Sequence, residues 1–254
     1  MKILTYNLRD GARDTLDELL KYISQQDPDI ICLQEVNDWQ SGRPITIQQF
    51  AHSTGYQFWQ FGDSNTKFKL LTLSKRPLIT SQTVTTQLWH GAVGIVIKWQ
   101  RTPFSLWNLH LNPQNETSRL AEITYLRKMY FKDSIPTLCV GDFNSLSRRD
   151  KYGDATIADL RSHDISKFGS ATLDYDVTDF LMGSGMKDTA SALGNLARTV
   201  PTPSNTDPSH SVSLRLDYAF ANPLALPHIR EVSVIKNHLT DTISDHYPLL
   251  IDLM

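Results

Sequence analysis

The sequence predicts an α/β protein (α+β in its mixed strand order): two packed β-sheets with helices on their outer faces. Three observations carry that expectation. The chain opens as strand, helix, strand, and Asp29-Ile30-Ile31-Cys32-Leu33 is a continuous apolar run of the kind found inside sheets. Each half of the chain runs from strands through helices back to strands, an order that two helix-covered sheets satisfy. A hydrophobic content of 40% over 254 residues is ample for a buried core.

The elements follow in order. Residues 3 to 8 alternate and are β-rich. Thr15 and Glu18 have capping-box spacing. Leu16, Leu19, Leu20 and Ile23 then form the apolar stripe of an amphipathic helix, which Pro28 stops. Strands are expected near 57 to 61, 68 to 74, 92 to 99 and 104 to 111. Leu120, Ile123, Leu126 and Tyr130 stripe a second helix over 116 to 131, and Pro136-Thr137-Leu138-Cys139-Val140 is the next buried strand. Residues 154 to 194 read as helix and loop without definable boundaries. Segments 215 to 221, 231 to 236 and 247 to 253 return to strand.

No linker, low-complexity run or internal repeat divides the chain, so one domain over 1–254 is expected. Basic and acidic residues nearly balance, 25 against 27, which argues against a uniformly basic nucleic-acid-binding surface but leaves room for a local cationic groove. The N-terminus reads as a strand rather than a leader, and no stretch approaches the roughly 20 apolar residues of a membrane span. A cytoplasmic monomer is the expectation. Cys32 and Cys139 sit in apolar runs without metal or redox spacing and read as buried hydrophobes.

Six short segments carry the chemistry: Thr5-Tyr6-Asn7, Leu33-Gln34-Glu35-Val36, Asn108-Leu109-His110-Leu111-Asn112, Gly141-Asp142-Phe143-Asn144-Ser145, Leu216-Asp217-Tyr218 and Ser244-Asp245-His246-Tyr247-Pro248. Each places a carboxylate, amide or imidazole at a strand end. Singly they have bland readings. Glu35 fits an exposed loop, Asp142 and Asn144 an Asx turn, His110 a satisfied strand histidine, and Asp245 a turn cap. Jointly, oxygen ligands such as Glu35 and Asn7 suit a hard cation, and a carboxylate beside His246 would tune its proton affinity and fix its tautomer. Neither a Gly-x-Ser-x-Gly elbow nor a cysteine in a catalytic context is present.

The ordered set, spanning residues 3 to 252, resembles the endonuclease/exonuclease/phosphatase family, which includes DNase I, exonuclease III, neutral sphingomyelinases and inositol-polyphosphate 5-phosphatases. The resemblance implies a four-layer α/β/β/α sandwich and a phosphate-ester hydrolase dependent on Mg²⁺, with Mn²⁺ as the alternative. It implies Glu35 as principal metal ligand, with Asn7 and Asp245 beside the metal or phosphate. It implies Asp142 orienting or deprotonating the attacking water, Asn144 and His110 on the phosphate, and Asp217 paired with His246. Asn112 and Arg119 are weaker phosphate candidates, Arg119 reading equally well as a solvated helix residue. Leu73-Ser74-Lys75-Arg76-Pro77-Leu78 resembles a further family segment at a strand end.

Two departures stand out. Arg9 occupies a position where abasic-site nucleases carry an acidic residue, so it contacts phosphate instead or leaves a ligand missing. Val36-Asn37 follows Glu35 where an exonuclease III-type lysine would stand. Both count against abasic-site repair. Nucleic acid, DNA or RNA, would need a cationic, aromatic-bearing groove, for which Trp39 to Arg43, Lys67 to Lys69 and Arg148 to Lys151 are candidates, although each reads more readily as a solvated loop. Pro201 to Asn205 is a candidate rim for a phosphatase-type pocket. The short chain has little room for a lipid-engaging insertion, which favours a nuclease-like or small-ester phosphodiesterase; a phosphomonoesterase, a lipid- or sugar-phosphate phosphatase, and an inactive binding module are the alternatives.

Overall fold

A computed structural model describes residues 1–169 and 171–254. Its strands are β1 (Lys2–Asn7), β2 (Ile30–Gln34), β3 (Phe58–Gly62), β4 (Leu70–Ser74), β5 (Leu78–Val84), β6 (Gly91–Trp99), β7 (Thr102–His110), β8 (Thr137–Asp142), β9 (Lys187–Asp188), β10 (Asp217–Ala221), β11 (Ile229–Val234) and β12 (Leu249–Leu253). The helices are α1 (Leu16–Gln26), α2 (Ile47–Thr54), α3 (Glu116–Met129), α4 (Asp154–Ser162), α5 (Asp176–Gly183), α6 (Thr189–Ala192) and α7 (Thr240–Ile243).

Two six-stranded mixed sheets result, ordered β11-β12-β1-β2-β4-β3 and β5-β6-β7-β8-β10-β9. Each has one parallel pair near its centre, β1 with β2 and β7 with β8, flanked by antiparallel strands. Alternation along each strand divides its side chains between two cores. Ile3, Ile30 and Cys32 face Val93, Leu106 and Val140 between the sheets. Leu4, Tyr6, Ile31 and Leu33 face outward against Leu19 and Ile23 of α1 and Phe50 of α2. On the other sheet Leu109, Cys139 and Phe220 meet Ile123 and Leu126 of α3 and Leu181 of α5. Helix, sheet, sheet, helix is the four-layer order the resemblance implied. Each of these aliphatic side chains, fully buried, contributes about 1.5–3 kcal/mol.

The carboxyl ends of β1, β2, β7 and β8 and the amino ends of β10 and β12 lie along one edge of the sandwich. Register makes this concrete: Asp142 is paired with His110 on one side and with Asp217 on the other. Gly141 lets these strands close up. At its φ of 133° a Cβ would sit 2.0 Å from the Leu109 carbonyl oxygen, so a larger residue would push β8, and Asp142 with it, away from β7. Gly141 is thus a strand residue rather than part of a turn.

Three local expectations change. Thr15 precedes α1 but does not cap it; its hydroxyl donates to the Ile243 carbonyl at 2.9 Å. The capping box forms instead at Thr46 and Gln49 of α2, a helix the sequence reading did not predict. β5 was also unread: it is a mostly polar, exposed edge strand with no apolar alternation to betray it. Cys32 and Cys139 are free and buried, as expected. Among the described residues no helix is long and apolar enough to cross a membrane.

Candidate active site

Asn7 ends β1, and its side-chain nitrogen donates to Glu35 Oε1 at 3.2 Å and to Asp142 Oδ2 at 3.0 Å, joining one carboxylate from each sheet. Its Oδ1 accepts the Arg9 N–H at 3.0 Å and keeps a second lone pair. Glu35 follows β2 at φ 61°, and its Oε2 accepts the Asp10 N–H at 3.0 Å. Burial pushes its carboxyl up to about 7 against the lowering effect of these two hydrogen bonds.

Asp142 is the hub. Its Oδ2 lies 3.5 Å from His110 Nε2 and 3.8 Å from His246 Nε2. Its Oδ1 accepts the Asn144 N–H at 2.8 Å. That contact is the Asx turn of the bland reading, and Asn144 at φ 49° is not extended; turn and site coincide. The Asn144 amide donates to the Leu111 carbonyl at 3.2 Å.

His246 Nδ1 meets Asp217 Oδ2 at 2.8 Å, the expected pair, and its Nε2 is buried without a hydrogen-bond partner. Burial alone would lower the proton affinity of His246. The Asp217 and Asp142 carboxylates outweigh it, so the imidazolium is held well above its ordinary range. Asp217 itself is also shifted upward by burial. Asp217 accepts from the ring in this geometry, so we take the pair as imidazolium and carboxylate. His110 is pushed down to about 3 by burial, with His246 and His210 adding to it, and its ring is neutral.

Asp245 is fastened by two neighbours: its Oδ2 meets His210 Nδ1 at 3.0 Å and its Oδ1 accepts the Ser244 hydroxyl at 3.3 Å. Burial works to raise its carboxyl, but the His210 hydrogen bond and the nearby His246 hold it well below the usual range.

Two weaker candidates are corrected. Arg119 is neither solvated nor turned to the site. It is fully buried, bonding Glu116 Oε2 at 2.9 Å and the carbonyls of Asn112 at 3.1 Å and Lys167 at 2.5 Å. Asn112 is a loop residue whose Oδ1 accepts the Gln114 N–H at 2.6 Å. Arg9 lies near Asp245, but its guanidinium is spent on the Ser204 carbonyl at 3.1 Å and the Thr206 hydroxyl. The proposed grooves fare similarly. Trp39 is buried against Phe50 with its N–H on the Gly11 carbonyl, and Arg148 pairs with Asp179 over the Tyr175 ring. Lys67 stays exposed over Phe68, 3.4 Å from Asp10.

The sequence reading missed His210, His90, Lys167 and the Gln34–Asn108 bridge. His90 stacks on His110 with centroids 4.1 Å apart. Gln34 Nε2 donates to Asn108 Oδ1 at 2.7 Å across the sheets beneath the site. His210, His90 and Lys167 sit in segments without a readable pattern; Gln34 and Asn108 lie inside two of the six segments, but only folding pairs them.

A sequence model of the endonuclease/exonuclease/phosphatase family matches residues 4–246. The chain belongs to this family. Solved structures described as endonuclease/exonuclease/phosphatase proteins are among those it resembles. An AP endonuclease from Archaeoglobus fulgidus aligns with TM-score 0.73 and 16% identity, over 100% of this chain and 99% of that one. A D. rerio TDP2 complexed with a single-strand DNA product gives 0.66 and 18%, over 99% and 97%. A mannosyl-6-phosphatase from Bacteroides thetaiotaomicron gives 0.67 and 14%, over 100% and 99%. At these identities the likeness is one of fold. No curated protein matches by sequence.

Within this family member the donor set fits a hard divalent cation. Glu35 and Asp245 present carboxylate oxygens, and the burial of Glu35 leaves a charge demand that a cation would meet. Asp142, Asp217 and His246 also bring ligand atoms within 4.8 Å of one another, as do His210, Asp245 and His246.

Proposed function

We propose that the protein, acting as a single domain, hydrolyses phosphate esters with Mg²⁺ or Mn²⁺ as cofactor, with water attacking phosphorus in line. The observation that carries this reading is the buried, unpartnered Nε2 of His246, backed by Asp217 at 2.8 Å and facing Asp142 Oδ2 at 3.8 Å. A buried polar nitrogen without a partner costs about 1–3 kcal/mol, so it marks a place made for an incoming group. When bound at Glu35 and Asp245, the cation supplies charge neutralisation for the phosphoryl and leaving oxygens. Asp142 aligns the attacking water and receives its proton, while His246, kept as an imidazolium by Asp217, is a donor. His110, Asn144 and His246 stabilise charge on the non-bridging oxygens, where preorganised donors count most. Asn7 keeps Glu35 and Asp142 in mutual register. The relatives span nucleic acid and sugar phosphate in their descriptions. The buried Trp39 and the paired Arg148 favour a small ester over a nucleic-acid polymer for this chain.

Bis-p-nitrophenyl phosphate and p-nitrophenyl phosphate, assayed with Mg²⁺, Mn²⁺ and EDTA, test the reading. Turnover should require metal, vanish in EDTA and return on replenishment. His246→Ala and Asp142→Ala should lower it by orders of magnitude with an unchanged circular dichroism spectrum. Wild-type rates in either variant, or silence on both esters, would refute the proposal.

A further inference from the structure

One cation stands at the site without an assigned task. Lys167 follows α4, and its carbonyl is gripped by the buried Arg119, which is tied to Glu116. Glu116 in turn accepts from the Ser145 hydroxyl at 3.0 Å and the Val177 N–H at 2.9 Å. The backbone of Lys167 is therefore anchored to the floor of the site beside Asn144. Its ammonium makes a single hydrogen bond among the described residues, to the Ser209 hydroxyl at 3.4 Å, and lies 5.1 Å from the Phe168 ring centroid. Among the described residues no carboxylate oxygen lies within 4.0 Å of it. Burial brings its proton affinity down to about 8, while Asp142, Asp207 and Asp245 act on it from a longer range in the opposite sense. This is a half-buried ammonium, still cationic at neutral pH, placed near the reacting centre and short of a counter-charge.

The same side of the site is walled. Thr202 donates its N–H to the Asp245 carbonyl at 3.2 Å and its hydroxyl to the Ser244 carbonyl at 2.5 Å. The Ser204 hydroxyl reaches the Ser244 carbonyl at 3.0 Å, and Arg9 holds the Ser204 carbonyl. His210 clasps Asp245, and Ser209 carries Lys167. The 202–210 segment is thus pinned across the Asp245 flank.

We propose that Lys167 directly binds the third terminal oxygen of the reacting phosphate, the one that a diester replaces with its second ester arm, and that the site favours a phosphomonoester, a phosphate with one ester arm. A monoester carries nearly two negative charges at neutral pH and a third terminal oxygen. The ammonium answers the extra charge. This inference rests on the phosphate-ester reading above and narrows its substrate.

The test compares wild type, Lys167→Ala, Lys167→Gln and Lys167→Arg on p-nitrophenyl phosphate and bis-p-nitrophenyl phosphate, with inorganic phosphate binding measured by calorimetry. Lys167→Ala and Lys167→Gln should lose about 10- to 100-fold in kcat/KM on the monoester, the worth of one charged hydrogen bond. They should lose less than about threefold on the diester, and phosphate binding should weaken about 10-fold or more by the same reasoning. Lys167→Arg should recover part of the loss. Equal losses on both esters, no loss, or unchanged phosphate binding would overturn the inference alone. A wild-type protein inert on both esters that still binds phosphate in a Lys167-dependent manner would overturn the reading above and leave the anion contact standing.

Discussion

Asp217 and His246 show how a single residue acquires a role from its surroundings. The Asp217 carboxylate is buried, its backbone N–H donates to the Thr199 hydroxyl at 3.2 Å, and one of its carboxylate oxygens lies 2.8 Å from the imidazole. An amide in its place would keep the shape and lose the charge that orients the ring. Asp217→Asn is expected to lower turnover about 100-fold or more, the scale of a misplaced general acid–base group. Steady-state kinetics beside a melting curve would check it; a rate near wild type would show that the carboxylate does not govern His246. Glu35 and Asn144 make a related point. Both have left-handed backbones, at φ 61° and 49°, Glu35 directly after β2 and Asn144 two residues after β8. Asparagine tolerates that region; glutamate does so at a cost of order 1–3 kcal/mol that the rest of the fold must cover.

At the level of elements, the same short pattern has two fates. Thr-x-x-Glu at Thr15 and Thr-x-x-Gln at Thr46 both read as capping boxes, yet only the second forms. The Thr15 hydroxyl donates to the Ile243 carbonyl, delivered by the distant α7. At Thr46, Gln49 returns the bond to the N–H at 3.0 Å. Thr46→Ala should therefore destabilise the protein by about 1 kcal/mol. A urea titration would measure this, and no change would mean that α2 is held by Phe50 and Ala51 packing alone.

The whole molecule supplies what no element contains. Glu122 on α3 accepts the Trp89 N–H at 2.5 Å and the Asn112 N–H at 2.8 Å, tying two loops on either side of His110. Burial pushes its carboxyl up to about 7 from the ordinary 4.5, despite those two bonds. The sign follows: the protonated form is favoured in the folded state, so its contribution is complete below about pH 4.5 and is lost as pH rises through about 7. Glu122→Gln does not titrate. Its stability relative to wild type should improve between pH 5 and 8 by on the order of 3 kcal/mol, at 1.36 kcal/mol per pH unit. Melting curves at both pH values would show it, and parallel curves would disprove it. The slope is the diagnostic, because glutamine also forfeits one of the two acceptors.

The sequence by itself determined the periodicities, hence most strands and α1 and α3, and the order of six polar strand ends. Those signals are local: alternation, a 3.6-residue stripe and a short motif are complete within a few residues. Family membership was legible for that reason, and the Asp217–His246 pair only as what the resemblance implied. Tertiary structure alone decided that Asn7 bridges Glu35 to Asp142, that Arg119 turns inward to hold Lys167, and that His210 and His90 stand beside the site. These contacts join residues dozens to hundreds of positions apart. Their energies come from burial and charge that exist only once both sheets have closed upon one another.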